Sequence, residues 1–510
     1  MRVLAVFPKT PPTLVYSATI PSGTLALSSF LKAQGHEVFL LDREVNRKKL
    51  KKVLDEFQPE VVCITLLSGL QIDDMIYVAK TAKEQGLPVL CGGQMASAIP
   101  EQVLLTGFVD YVGFGEGEYT TLELLEVLQG KRARESVKGI FYLDEQKRLV
   151  ETEFRPFADL SDFPKYDFSL LHNVASYYTS KPFASKIIRV CYAKGCPYNC
   201  AFCFNDRYYR RCYRRRPKEL VLEEIRELVQ EHGADGINFS DEIWGVDKED
   251  LREFCSKIKE QNLPYKWMCE TRIGQLTRED MKVMRDAGCR EVFYGIESGS
   301  PEVLERIQKN YDIKRMNETF ENMRQLDLIT LAAIIIGFPD ETCGQLKQTV
   351  HAFFRVNPRY TLLTYYTVIP GTALQQQLVE HGRIKSSMNI LDYRFAFGEE
   401  GNKFTNYSQI PTRELRVVHA FFNWHMVFNN KSQDKDAGIF KNIGAIVNHT
   451  LHNIKKHSLL KALRTIWDGF AFVCTITYYS HAYPKIRKKY DLYAKNFGRQ
   501  NWDDLPDWGE

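Results

Sequence analysis

The chain alternates, in two long stretches, between short apolar runs and amphipathic helical patterns. That alternation limits its fold more than any other feature. Residues 2–7, 37–41, 61–65, 88–91 and 111–113 read as strands, each followed by a helical pattern such as 22–34. Buried β-rich runs separated by helices specify an α/β fold, here a parallel, doubly wound, Rossmann-like sheet. Ligands of such sheets bind in the loops beyond the strand C-termini. The alternation then pauses. Residues 139–142 and 149–152 read as a hairpin, and 156–180 as a linker bearing prolines and aromatics. A strand at 186–191 restarts it, and it continues to about residue 375.

At 510 residues the chain has room for about three domains. A net charge of +4 is too small to argue for nucleic acid, and none is expected as a partner. Twelve cysteines are too dilute and too unevenly spaced for a disulfide framework. The N-terminal apolar run is brief and ends in proline, unlike a signal peptide. No stretch reaches the roughly 18 apolar residues of a transmembrane span. The expectation is a cytoplasmic protein, with peripheral membrane contact left open.

Just beyond the strand at 186–191 comes Gly195-Cys196-Pro197-Tyr198-Asn199-Cys200-Ala201-Phe202-Cys203. A [4Fe–4S] cluster normally takes four cysteines, so three thiolates leave one iron open to a small chelating ligand. A structural zinc site would need a fourth N or S ligand, usually from a second cysteine pair. No such pair follows, and His232 stands alone.

This run resembles the cluster loop of the radical S-adenosylmethionine (SAM) superfamily. The resemblance implies a partial (β/α) barrel, with Cys196, Cys200 and Cys203 as cluster ligands and Phe202 beside SAM. The open iron would bind the amino and carboxylate groups of SAM. One electron would then cleave a C–S bond and yield a 5′-deoxyadenosyl radical. Four further elements follow in the family's order. Phe239-Ser240-Asp241-Glu242 offers two carboxylates, Asp241 and Glu242, for the methionyl ammonium; their alternative use is as a helix N-cap. Glu270-Thr271-Arg272 places Arg272 near SAM. The run from Val292 through Gly295-Ile296-Glu297-Ser298-Gly299-Ser300 offers Glu297 to the ribose hydroxyls. Ile334-Ile335-Ile336-Gly337-Phe338-Pro339 matches the strand beside adenine, with Gly337 at its end. Ile369-Pro370-Gly371-Thr372 fits the final strand of the barrel and its exit turn.

In the first third, three loops carry glycines where a backbone must approach a large flat ligand. They are Ser68-Gly69-Leu70, Gly92-Gly93 and Gly115-Glu116-Gly117-Glu118. The set is similar to the cobalamin-binding domain, and the last run resembles the same region of cobalamin-binding radical SAM proteins. One departure is plain. The loop after the first strand, Pro8-Lys9-Thr10-Pro11-Pro12-Thr13, lacks the histidine that ligates cobalt in the best-known cobalamin domains, a motif that the radical SAM branch often lacks. The alternative is a Rossmann-like scaffold that binds nothing. NAD is not expected, because no G-x-G-x-x-G follows the first strand.

The resemblance therefore implies a cobalamin-binding domain at 1–135, a hairpin and linker at 136–180, a radical SAM barrel at 181–383 and a mainly helical C-terminal cap at 384–510. A helix is expected from Pro411, and a basic amphipathic one at 453–473, followed by a tyrosine-rich stretch at 478–483. The basic run 207–216 is read as serving the cluster or cofactor phosphates. The implied cofactors are a [4Fe–4S] cluster, SAM and cobalamin, with flavodoxin or ferredoxin as electron donor. The implied reaction is methylation of an unactivated carbon of a small-molecule or lipid-like substrate through methylcobalamin. Alternatives are ring contraction or cyclisation with the same cofactors, a radical SAM enzyme without cobalamin, and a cobalamin- or SAM-sensing module.

Overall fold

The computed structural model describes residues 1–11, 18–385, 388–395 and 404–428. The expected helix at 453–473 and the tyrosines at 478–483 lie outside them.

The first sheet contains β1 (Arg2–Phe7), β2 (Glu37–Asp42), β3 (Val61–Thr65), β4 (Val89–Gly92), β5 (Tyr111–Gly113), β6 (Ile140–Leu143) and β7 (Leu149–Glu151). Their order is β2-β1-β3-β4-β5-β6-β7. The first five are parallel, and the hairpin β6–β7 adds two antiparallel strands at one edge. Both faces are covered. Leu4, Val6, Val62 and Ile64 join one apolar cluster, and Val3, Phe30, Leu31 and Val61 join another. Such strands need continuous apolar runs, as Val3–Val6 supplies. Strand order reverses direction at β1 and β3, which puts the switch point at Phe7 and Thr65.

The second sheet begins with β8 (Thr179–Lys181) and β9 (Ala184–Val190). A short antiparallel ribbon, β10 (Ala193–Lys194) with β11 (Arg214–Arg215), then flanks the cysteine loop. The sheet continues with β12 (Gly236–Phe239), β13 (Lys266–Arg272), β14 (Cys289–Glu297), β15 (Ile329–Ile336) and β16 (Tyr360–Tyr365). Its order, β16-β15-β14-β13-β12-β9-β8, runs one way along the chain, and every pair except β8–β9 is parallel. Successive right-handed crossovers in one direction curl such a sheet into a half-barrel with its helices outside. Along β15 burial alternates, with Ala332, Ile334 and Ile336 packed into the helical layer. Leu331, Ala333 and Ile335 face inward.

Two local expectations need correction. The last barrel strand is Tyr360–Tyr365, not the segment at 369–372. Those residues form the turn into the helix Ala373–Glu380, where Thr372 caps by accepting from the Gln375 amide. The segment read as linker also contributes a strand, Thr179–Lys181. The helix expected from Pro411 spans Thr412–Phe428, and its Leu415 packs on Gly337 at the end of β15. The short helix Ile390–Phe395 sends Ile390 and Tyr393 into the core of the first sheet. No described helix is long and apolar enough to cross a membrane.

Candidate active site between the two sheets

The cysteine loop is fixed at several points. Gly195 has φ +86°, and a Cβ there would lie 2.0 Å from the Cys212 carbonyl oxygen. Its amide donates to Glu242 Oε2 at 2.9 Å. Ala201 donates to the Ile307 carbonyl at 2.9 Å and accepts from the Leu374 amide at 3.0 Å. Tyr198 and Asn199 bond Gln275 and Gln308 at 2.6 and 2.7 Å. Cys196, Cys200 and Cys203 are all partly exposed. Desolvation pushes the Cys203 thiol up to about 12, so a thiolate there needs a cationic partner such as iron. Among the described residues no three His, Cys, Asp or Glu side chains gather closely enough to hold a single metal ion. A cluster, whose irons space its thiolates apart, does not require that.

Cationic groups stand beside this loop. Arg272, at the end of β13, places Nη1 3.9 Å from Cys200 Sγ and stacks 4.1 Å over the Tyr198 ring. Lys309 donates to Glu297 Oε1 at 2.9 Å, and both are buried. The β14–β15 register shifts between Gly295 and Glu297, and Glu297 adopts φ +62°. Glu297 lies on the inward face with Phe293 and Gly295, and the bulge and its left-handed backbone set the aim of its carboxylate at the strand end. Gly295 makes room for it: a Cβ there would lie 2.2 Å from Glu297 Oε1 and 2.7 Å from Lys309 Nζ. Phe202 packs edge-on against Phe338, with ring centroids 5.8 Å apart. Gly337 donates to the buried Glu341 at 2.7 Å.

The two carboxylates after β12 are not helix caps. Asp247 caps the helix Lys248–Gln261 through the amides of Glu249 and Asp250. Asp241 instead accepts from the Tyr192 amide at 2.8 Å, and its second oxygen is buried without a partner among the described residues. Glu242 accepts from Gly195. Burial raises both carboxyls above the ordinary range. The structure thus brings Phe202, Asp241, Glu242, Arg272, Glu297 and Gly337 to the barrel rim around the three cysteines. Sequence reading missed Lys309, because nothing local marks a lysine 12 residues from the glutamate it neutralises.

The first sheet meets this rim. Glu116 accepts from Arg214 at 2.6 and 2.9 Å, and Glu118 from Lys194 at 3.2 Å. Tyr208 donates to the Gly115 carbonyl at 2.7 Å. These pairs are 11–15% and 6–13% exposed, a burial at which losing one partner costs about 3–5 kcal/mol. The basic run is therefore largely paired: Arg211 with Asp206, Arg214 with Glu116, Arg215 with Asp247, Arg216 with Glu224.

Between the sheets lies a cavity of about 740 Å³. Its walls include the switch-point residues Phe7 and Thr65, the loops of Gly92, Gly93, Gly115, Glu116 and Gly117, and Ser240 and Glu242 from the barrel. A Cβ at Gly92 would meet nothing within 4 Å, so this backbone is open to a flat ligand. Ser68, Gly69 and Leu70 lie outside the lining; the turn Gly69–Gln71 packs against the Ile390–Phe395 helix, while neighbouring Leu67 reaches the cavity. No histidine lines it among the described residues. The walls suit a cobalamin whose cobalt takes no histidine from them.

Residues 190–353 match the family model of the radical SAM superfamily, and residues 13–125 match that of the B12 binding domain. The chain belongs to the radical SAM superfamily, in its cobalamin-binding branch, and is an enzyme of that group. The two domains define a cofactor set of a [4Fe–4S] cluster, SAM and cobalamin. The chain is 28% identical over 387 residues to an uncharacterised methyltransferase of Pyrococcus horikoshii, covering 74% of this chain and 83% of that one. It is 27% identical to the anaerobic magnesium-protoporphyrin IX monomethyl ester cyclase of Cereibacter sphaeroides, over 73% of this chain and 61% of that one. It spans about three fifths of that cyclase's length. The fold is shared with the cobalamin-dependent SAM radical enzyme OxsB, at TM-score 0.71 and 14% identity, over 98% of this chain and 82% of that one.

Proposed function

We propose that this enzyme is a C-methyltransferase that acts on an unactivated carbon of a small-molecule or lipid-like substrate. One observation carries the reading: a single cavity runs from the glycine loops of the first sheet to Ser240 and Glu242 beside the cysteine loop. A methyl donor and a radical source would there share one space. Bound SAM, cluster and cobalamin would supply reductive C–S cleavage and a transferable methyl group. The chain's own residues hold and exclude. Cys196, Cys200 and Cys203 hold the cluster. Phe202, Asp241, Glu242, Arg272, Glu297 and Gly337 position SAM, with Lys309 neutralising Glu297. Gly92, Gly93, Gly115, Glu116 and Gly117 receive cobalamin, while Ser68, Gly69 and Leu70 support that wall from behind. A flavodoxin or ferredoxin supplies the electron in a cytoplasmic setting. The methyltransferase of Pyrococcus horikoshii supports methylation.

The test is product analysis of the reduced, cofactor-loaded enzyme with SAM and a methyl-accepting substrate. Methylation by this route consumes two SAM molecules, so 5′-deoxyadenosine and S-adenosylhomocysteine accumulate together in about equal amounts. Deoxyadenosine without S-adenosylhomocysteine would sink methyl transfer. It would favour cyclisation, the reading that the cyclase of Cereibacter sphaeroides supports.

A further inference from the structure

The inner wall of the half-barrel changes character between β13 and β14. On β9, β12 and β13 the inward residues are Arg189, Asn238, Met268 and Glu270, with Ser240 just beyond β12, so that Met268 is the one apolar side chain among them. Register pairs Arg189 with Asn238, and Asn238 with Met268. On β14–β16 the inward residues are Phe293, Leu331, Ala333 and Leu362. Register pairs Glu270 with Phe293, Phe293 with Leu331, and Ala333 with Leu362. Leu362 is 47% exposed despite its place in the sheet. The floor below is closed by Lys181, which pairs with buried Glu291 at 2.7 Å and lies 5.6 Å over the Tyr360 ring.

Arg189 stands out on this wall. It is exposed into the cavity and makes no hydrogen bond or ion pair among the described residues. Its neighbour Asn238 also lines the cavity, and its side-chain amide carries an Nδ2 donor. Lys181 and Lys194, the cavity's two lysines, are already paired. A cavity guanidinium with no carboxylate within ion-pair distance, on which Glu270 acts only at longer range, keeps its fork open to a planar carboxylate.

We propose that this wall is the substrate site and that it takes an amphipathic carboxylate. The Arg189 fork holds the carboxylate head, with the Asn238 Nδ2 amide as a second donor, and Phe293, Leu331 and Leu362 receive the apolar body. Nearby Glu270 does not oppose this, because burial and the charge of Glu242 push its carboxyl up to about 7, against the pull of Arg189. The inference rests on the enzymatic reading above and gives it a substrate class.

Calorimetric titration of the cluster-loaded enzyme, with and without cobalamin, tests it using decanoate and 1-decanol as probes. The wild type is expected to bind decanoate about tenfold more tightly than decanol. Arg189→Gln should erase that preference while leaving iron and cobalt contents unchanged, and Leu362→Asp should weaken both probes. Equal binding of the two probes, no binding of either, or an unchanged preference in R189Q would overturn the proposal. So would loss of cobalamin from R189Q, which would assign Arg189 to the cofactor. A carboxylate preference in protein that takes up no cobalt would keep the site and sink cobalamin-dependent methyl transfer.

Discussion

Replacing Cys196, Cys200 and Cys203 together by alanine is expected to strip the protein of iron and lower SAM cleavage at least about a thousandfold, roughly 4 kcal/mol of barrier. The remaining described cysteines are mostly buried. The first sheet has its own apolar clusters, distinct from that of the barrel, so the variant should keep its fold and its cobalamin. Iron analysis, cobalt analysis and deoxyadenosine assay read the three outcomes separately. Iron retained at about four per chain would show that the cluster is held elsewhere.

Gly195→Ala carries the second large effect. The residue sits at φ +86°, and its new Cβ would lie 2.0 Å from the Cys212 carbonyl oxygen and 3.2 Å from Tyr209 Cβ. The overlap is with backbone, which no side-chain rotation relieves. The chain must move the β10–β11 ribbon or surrender the loop, at an expected cost of about 3 kcal/mol or more with loss of cluster. Gly233→Ala is the control. Its φ is +71°, but the nearest atom to a Cβ is Lys186 Nζ at 3.7 Å. There only the left-handed conformation is penalised, by about 1 kcal/mol. Denaturant midpoints and iron content of both variants separate backbone strain from steric exclusion. Equal behaviour would contradict the packing described for the loop.

Much of this architecture is legible in the sequence because its signals are local. Val3–Val6 must be covered on both faces, and Gly92-Gly93 and Gly115 mark the loops beyond strand ends. The cysteine spacing is likewise contained within eight residues. What sequence reading missed depends on distant partners. Tyr360–Tyr365 is a barrel strand only because Ile329–Ile336 offers it a parallel ladder; its own pattern, with Leu362 left 47% exposed, is ambiguous. Glu116 and Arg214 are 98 residues apart, so the basic run reads as free charge until the sheets are docked. Asp241 and Glu242 are visible as a carboxylate pair, but their bonds to Tyr192 and Gly195 exist only once β9 and β12 lie side by side. Lys309 and Arg189 are silent in sequence for the same reason: one is marked by its buried partner, the other by having none.

The most direct test of the central claim is metal stoichiometry. The full chain, produced with cobalamin supplied, purified anaerobically and reconstituted, should carry about four irons and one cobalt, with the ultraviolet–visible spectrum of both cofactors. Four irons without cobalt would contradict it: the cavity between the two sheets would then serve something other than cobalamin, and the radical chemistry would proceed without a methyl carrier.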